Sequence, residues 1–124
     1  MKTLFIFFAS MVICTCCYSQ GAKPTANDIT KALKSTWEHD ATSLEPKKTV
    51  TVSNIKFGTS EKSNYAQQLD GVPKGANVTH AKIDFTQNLF YSNETQHVRR
   101  IMTALVYRDQ FNEWTIMNTG CVYP

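Results

Sequence analysis

Residues 76–91, ANVTHAKIDFTQNLFY, begin a series of three long runs that also includes 96–109, QHVRRIMTALVYRD, and 112–123, NEWTIMNTGCVY. Each run is rich in β-branched and aromatic residues, which favour strands. The polar stretches 92–95 and 109–112 between them have the character of turns. Because short connections join antiparallel neighbours, the three runs predict an antiparallel meander. Strands of this length are expected to coil or curve strongly.

An amphipathic helix is predicted upstream, in residues 24–40, PTANDITKALKSTWEHD. Ile29, Leu33 and Trp37 recur every four residues, so they share one helical face. Pro24 and the capping residues that follow it are typical of a helix start. We expect this apolar stripe to pack on the meander, with Trp37 as its aromatic anchor.

A further strand is predicted in residues 43–58, SLEPKKTVTVSNIKFG. Apolar residues alternate with polar ones up to Val52 and then resume out of phase at Ile55. A bulge near Ser53 and Asn54 would produce such a slip, since it adds one residue to one strand of a pair.

A short helix over about residues 61–69 completes the pattern, with Gly71 and Pro73 as stop signals. The element order predicts an α+β fold, in which an N-terminal helix packs on a strongly curved antiparallel sheet of about four strands. No internal repeat or change of composition follows Gln20, so residues 20–124 are expected to form a single domain.

Residues 1–19, MKTLFIFFASMVICTCCYS, have the pattern of a secretory signal peptide: a lysine, an uncharged apolar run and small residues near the end. The apolar run, 4–13, is shorter than the roughly 20 residues of a transmembrane helix. Cleavage after Ser19 would remove three of the four cysteines. We therefore predict a secreted or periplasmic protein; the alternative is a bacterial lipoprotein acylated on one of those cysteines.

The net charge of +3 is too small to indicate a nucleic-acid partner or an anionic membrane. Cys121 would remain after cleavage, as a buried strand residue or in a disulfide between chains. No histidine has a second ligand at a metal-binding spacing, so neither a metal nor another cofactor is predicted. Asn77 and Asn93 begin N-x-T sequons, which would accept glycans if the chain were secreted through an endoplasmic reticulum.

With turns centred between Asn93 and Glu94 and between Gln110 and Phe111, one face of the meander is apolar. It carries Ala81, Ile83, Phe85, Met102, Ala104, Val106, Met117 and Cys121. The opposite face mixes titratable, aliphatic and aromatic residues: His80, Lys82, Asp84, Ile101, Leu105, Tyr107, Trp114 and Ile116. This mixed face is the candidate site.

The element order resembles the α+β roll of nuclear transport factor 2-like domains and of cystatins. In nuclear transport factor 2-like enzymes such as the ketosteroid isomerases, the bent sheet holds a carboxylate base and hydrogen-bond donors. The resemblance implies Asp84 as a base, Tyr107 as a donor and His80 as a second acid or base. An apolar ligand would contact four residues of the mixed face: Leu105, Tyr107, Trp114 and Ile116. The alternative is a solvent-facing strand surface on which these polar groups pair with one another.

Residues 67–71, QQLDG, are similar to the cystatin wedge motif Q-x-V-x-G, with Leu69 in place of the valine. Gly21 and Trp114 lie about where a cystatin places its other two protease-contacting elements. This resemblance implies inhibition of a papain-like protease. A helix end capped by Gly71 is the alternative interpretation.

No set of acids, bases and nucleophiles stands at a specific spacing, so a non-catalytic module that binds a small apolar ligand or a protein is favoured. An isomerase-like enzyme ranks second and a cystatin-like inhibitor third. Neither a nucleic-acid partner nor an integral membrane segment after signal cleavage is expected.

Overall fold

The structure is a computed structural model that describes residues 23–124, so the predicted signal peptide and Gly21 lie outside the described residues. In chain order its elements are α1 (Ala26–Trp37), β1 (Lys47–Lys62), α2 (Tyr65–Leu69), β2 (Asn77–Phe90), β3 (Thr95–Arg108) and β4 (Trp114–Val122). The strands form one antiparallel sheet in the order β1-β2-β3-β4. An α+β fold with a helix on a four-stranded antiparallel sheet is therefore confirmed, whereas strong curvature of the sheet stays a prediction.

A capping box begins α1. The Thr25 hydroxyl accepts a hydrogen bond from the Asp28 amide at 3.1 Å, and the Thr25 amide donates to the Asp28 carboxylate at 2.9 Å. These bonds satisfy amides that have no partner within the helix. The bond from the Thr25 amide is also the main reason that the pKa of Asp28 lies below its usual value.

The apolar stripe of α1 packs on the sheet as predicted. Ile29 and Leu33 are fully buried, and the Trp37 ring meets the Phe85 ring edge-on, at 5.4 Å between centroids. Fully burying a large apolar side chain contributes about 1.5–3 kcal/mol. The buried residues of this main core are Ile29, Leu33, Val50, Ala81, Ile83, Phe85, Met102, Ala104 and Val106. We call the side of the sheet that α1 covers the helix face, and the other side the open face.

The strand β1 contains two irregularities in its pairing with β2. The first, between Val52 and Asn54, confirms the predicted bulge. The second, between Phe57 and Ser60, contains Gly58, whose missing Cβ would lie 3.2 Å from the Cβ of His80. Both bulges bend an edge strand, which discourages pairing with other chains.

The short helix α2 begins later than predicted. The predicted helix, 61–69, was too long, because β1 continues to Lys62 in the ladder with β2. Asn64 caps the helix instead: its side chain accepts from the Gln67 amide at 2.8 Å, and the Asn64 amide donates to the Gln67 side-chain oxygen at 3.0 Å. Gly71 follows the helix with φ +104°, a conformation that suits glycine.

The pairing of β2 with β3 differs from the predicted register by two residues: Thr79 lies opposite Val106. Because side chains alternate with a period of two, this difference leaves every side chain on its predicted face. His80 lies opposite Leu105 on the open face, and Ile83 lies opposite Met102 on the helix face.

The pairing of β3 with β4 differs by one residue, and here the face prediction was wrong. Arg108 lies opposite Trp114 and Val106 opposite Ile116, so Trp114 and Ile116 pack against the main core on the helix face. The physical reason is the turn, in which Asn112 has the positive φ of +62°. A turn of three residues that ends in a left-handed residue shifts the pairing by one.

The same correction moves Met117, which was predicted on the apolar face. It packs instead beside Leu105 on the open face. A second register shift, after Thr103, then places Cys121 opposite Met102, so Cys121 lies on its predicted face. Its side chain is half-buried at the edge of the main core, and its Sγ accepts a hydrogen bond from Arg100 Nη1 at 3.7 Å.

A second, smaller core lies on the open face, beneath the connection between β1 and β2. Val72 and Val78 are almost completely buried there, and Leu105 and Tyr107 pack with them. Beyond this core, the open face carries polar side chains together with the apolar Ile101 and Val122. Neither helix of residues 23–124 is long and apolar enough to cross a membrane.

Candidate functional site

The residues of the predicted mixed face are divided between the two sides of the sheet. His80 and Asp84 share the open face with Leu105 and Ile101, their direct cross-strand neighbours. Tyr107 also lies on the open face, within the smaller core. Trp114 and Ile116 lie on the helix face, so the four predicted ligand contacts do not share one surface.

Asp84, the predicted base, is held in an ion pair. Arg99 donates two bonds to it, Nε to Oδ1 at 3.0 Å and Nη2 to Oδ2 at 2.6 Å. The hydrogen bonds from Arg99 are the main reason that the pKa of Asp84 lies below its usual value. A general base that acts near neutral pH needs a raised carboxyl pKa, so this environment favours a structural pair.

His80 and Tyr107 do not converge on Asp84. His80 Nε2 lies 3.1 Å from Glu61 Oε1, also as a pair across the strands. Tyr107 is 6% exposed, and its pKa is raised, first by burial and then by the nearby Asp109 carboxylate. Along β3, Tyr107 is separated from Ile101, the partner of Asp84, by about 20 Å at roughly 3.3 Å per residue.

Trp114 contributes to a groove on the helix face. The Arg108 guanidinium lies over its ring, 4.7 Å from the centroid, which is cation–π geometry. The groove of about 560 Å³ runs between α1 and the β3–β4 turn and is lined by Asp28 and Glu113 as well. A second groove of about 560 Å³ lies between α1 and β1. Both grooves are open and lined by mixed polar and apolar residues, so neither forms an enclosed apolar pocket.

The connection between β1 and β2 and the turn between β3 and β4 lie at the same end of the sheet. Ser60, Thr79, Val106 and Ile116 form one continuous cross-strand row. From this row β1 runs on toward the connection 63–76, and β4 begins just after the turn 109–113. We call these two connections together the loop end of the molecule.

The loop end carries large apolar side chains in contact with solvent. Tyr65 and Leu69 on α2 are 75% and 70% exposed, and Phe111 at the tip of the β3–β4 turn is 75% exposed. Exposed apolar residues are common on protein surfaces, and the opposite end of the sheet carries them too: Phe90, Tyr91, Val122 and Tyr123 are 41–66% exposed. The three at the loop end are more exposed than these four.

The connection 63–76 is held in place by several contacts. Val72 is 2% exposed in the smaller core and anchors the connection to the sheet. The Ser63 hydroxyl donates to the Pro73 carbonyl at 2.9 Å, and Gln68 Nε2 donates to the Ser63 carbonyl at 3.1 Å. The exposed side chains of α2 therefore project from a connection with a defined backbone.

The turn 109–113 is organised by Asp109. Its Oδ1 accepts from the amides of Phe111 at 2.9 Å and Glu113 at 3.0 Å. These backbone bonds, that from Glu113 first, lower the pKa of the Asp109 carboxyl. Phe111 thus stands on a turn whose backbone amides are satisfied by one side chain.

The sequence did not predict Phe111 as a surface residue, and it placed Tyr65 only within the predicted helix 61–69. Asp109 was a signal for the turn, since an aspartate side chain often accepts a hydrogen bond from the backbone amide two residues on, but no sequence signal indicated that the Phe111 ring is exposed. The predicted sequon at Asn93 lies in an exposed turn, whereas Asn77 begins β2 and is half-buried. Within residues 23–124, no cluster of histidine, cysteine and carboxylate side chains could hold a metal ion.

Comparison with known proteins gives no relative for this chain: no protein-family model, curated protein or solved structure matches it.

Proposed function

We propose that this chain is an exported, non-catalytic module that binds a protein partner through its loop end. The observation that supports this proposal is the exposure of Tyr65, Leu69 and Phe111 on two connections that leave the same end of the sheet. Aromatic residues are enriched in the buried centres of protein interfaces, where they supply much of the binding energy.

The well-defined backbone conformation of the two connections also favours binding. Val72 anchors one connection, and Asp109 holds the backbone of the other. A surface that is already ordered loses little conformational entropy on association, so more of the contact energy is retained as affinity.

The shape of the loop end favours a protein over a small molecule. Small ligands bind in concave pockets that enclose most of their surface. Tyr65 and Phe111 instead project into solvent. Their natural complement is a cleft in the partner, lined by apolar side chains.

Inhibition of a papain-like protease is the second candidate, and one specific observation favours it. Residues 67–71 and the turn before Trp114 both belong to the loop end, which is the arrangement that a cystatin-like wedge requires. Two features argue against it. Glu113 precedes Trp114 where the cystatin pattern has a proline, and the Trp114 ring is half-buried beneath Arg108.

An isomerase-like activity is supported less well. Such a site needs a base and donors around one cavity. The carboxylate of Asp84 pairs with Arg99, and Tyr107 lies far along the sheet beneath Val72.

The binding proposal is tested with a triple variant, Tyr65→Ser, Leu69→Ser and Phe111→Ser. A matched control replaces three exposed apolar residues elsewhere by serine: Leu44, Tyr91 and Val122. A partner is first captured by cross-linking in the exported fraction of the source cells and is then purified. We expect the dissociation constant to rise at least tenfold in the triple variant and to stay unchanged in the control. Equal affinity of the two variants would exclude the loop end as the binding surface.

Purified papain distinguishes the second candidate. Inhibition by wild type at micromolar or lower concentration, lost in Gly71→Ala, would identify the partner class as a papain-like protease. The φ of +104° at Gly71 makes the alanine strained, so the variant distorts the connection locally. Absence of inhibition would remove this candidate and leave the more general binding proposal.

A further inference from the structure

Two lysines lie side by side on the open face, three to four residues along β1 and β2 from the row Ser60–Thr79 at the loop end. Lys56 on β1 and Lys82 on β2 are direct cross-strand partners, and both side chains are exposed. Like charges directly opposite each other in a sheet destabilise it. This juxtaposition therefore has an energetic cost that the sheet must offset elsewhere.

No carboxylate offsets this repulsion in the part of the chain that the structure describes. The close contacts between basic and acidic side chains in residues 23–124 are His39–Glu45, His80–Glu61 and the Arg99–Asp84 ion pair. The two acidic residues closest in register to the lysines, Glu61 and Asp84, thus already contact His80 and Arg99. Both ammonium groups remain available to an anion from solution.

The lysines line a shallow depression of about 280 Å³ in the open face. Its lining is completed by His80 and two threonines, Thr103 and Thr119, by Gly58, and by the apolar residues Phe57, Ala81 and Ala104. The depression spans β1 to β4, so four strands contribute to it. A concave site concentrates the potential of the charges that line it.

Gly58 keeps this depression open. It lies in the second bulge of β1, where an added Cβ would come within 3.2 Å of the His80 Cβ and 3.3 Å of the His80 carbonyl oxygen. Such a contact is tighter than usual, so a side chain here would push His80 back by a few tenths of an ångström, and glycine avoids that shift. The bulge therefore leaves uncovered space beside the two lysines.

The threonines on the far side of the depression are fixed by β4. The Thr119 hydroxyl donates to the Thr103 carbonyl at 3.0 Å, and the Thr103 hydroxyl donates to the Gly120 carbonyl at 3.3 Å. Because both hydroxyl protons are engaged, the principal donors left for a ligand are the two ammonium groups; His80 Nε2 already lies 3.1 Å from Glu61 Oε1.

We propose that this depression binds a tetrahedral oxyanion, a phosphate or sulfate group. Two adjacent ammonium groups supply two positive charges and several freely rotating donors, which suits a doubly charged tetrahedral anion. A planar carboxylate is matched better by the fork of an arginine, and the exposed Arg99 already pairs with Asp84. The group can be a free ion or the head of a phosphate ester, since the depression is open to solvent.

The proposal is tested by NMR titration of the protein with inorganic phosphate, inorganic sulfate and phenyl phosphate, at constant ionic strength maintained with chloride. We expect saturable shifts of the amide signals of Gly58, Lys82 and Thr103. Tighter binding of phenyl phosphate than of the free ions would identify an ester as the preferred source; equal binding would identify the free anion. Linear, non-saturating shifts with all three anions would overturn the proposal.

Two double variants with the same loss of charge make the assignment specific. Lys56→Gln with Lys82→Gln should weaken anion binding at least tenfold. Lys31→Gln with Lys34→Gln, on the exposed side of α1, should leave it unchanged. If anion binding were weakened equally in both double variants, only the net charge of the protein would matter, and the proposed site would be wrong.

Thermal unfolding distinguishes lysines that bind an anion from lysines that stabilise the sheet, because the two roles predict opposite changes in melting temperature when the lysines are replaced. Without an oxyanion, the Lys56→Gln, Lys82→Gln variant should melt at or above the wild-type temperature, because the repulsion is removed. Phosphate should raise the melting temperature of wild type and not that of the variant. A variant that melts lower than wild type in chloride alone would show that the lysines stabilise the sheet, and would overturn the proposal.

Discussion

The ring of Trp37 meets the ring of Phe85 edge-on, with 5.4 Å between centroids and 72° between planes. This contact joins the last residue of α1 to the centre of β2, beside the buried Ile29 and Leu33 stripe. The Arg100 guanidinium also lies over the Trp37 ring, 5.7 Å from its centroid. Trp37 thus contributes to the docking of the helix together with the buried Ile29 and Leu33.

Replacing Trp37 by alanine should lower the free energy of unfolding by about 3 to 5 kcal/mol, through lost burial and an incompletely filled cavity. Urea denaturation followed by circular dichroism measures this difference. Leu44→Ala is the control, because Leu44 is 92% exposed and its loss should change stability by less than about 0.5 kcal/mol. A Trp37→Ala protein as stable as the control would mean that α1 is not docked through this residue.

The capping box of α1 should give stability that depends on pH. Since the pKa of Asp28 is lowered in the folded protein, its contribution is fully present above its unfolded value of 3.8 and is lost as pH falls through the lower folded pKa. We expect the stability difference between wild type and Asp28→Asn to shrink as the pH falls from about 6 to about 2. Chemical denaturation at several pH values measures it, and a difference that stays constant would contradict the prediction.

The left-handed conformation of Asn112 should tolerate glycine and reject a β-branched residue. We expect Asn112→Val to cost about 1–2 kcal/mol, because a Cβ-branched side chain is strained at φ +62°. Asn112→Gly should stay within about 0.5 kcal/mol of wild type, since it loses only an exposed bond from Arg108. Thermal denaturation of both variants checks this, and equal effects would argue against a left-handed turn.

Export is predicted from residues 1–19 and has a direct test. The protein made in its native host should begin at or near Gln20 and be recovered outside the cytoplasm. N-terminal sequencing of the recovered protein decides the matter. Met1 retained on a cytosolic protein would contradict the prediction, whereas a lipid-modified cysteine would favour the lipoprotein alternative.

Much of the architecture was determined by local sequence pattern. The spacing of Ile29, Leu33 and Trp37 predicted the helix and its packed side, and the phase slip after Val52 predicted the first bulge. The polar stretches predicted where the chain turns. These features depend on neighbours within a few residues, which the sequence displays directly.

Tertiary structure alone decided which residues meet across the sheet. The left-handed Asn112 shifted β4 by one residue and carried Trp114 away from the face of Tyr107, because a single step of register reverses every side chain. The sequence indicated where the strands lie. It did not indicate which connections share an end of the sheet, and it did not indicate that Lys56 lies opposite Lys82. Such contacts join residues far apart in the chain, and they are set by turn geometry and bulges whose effects accumulate along each strand.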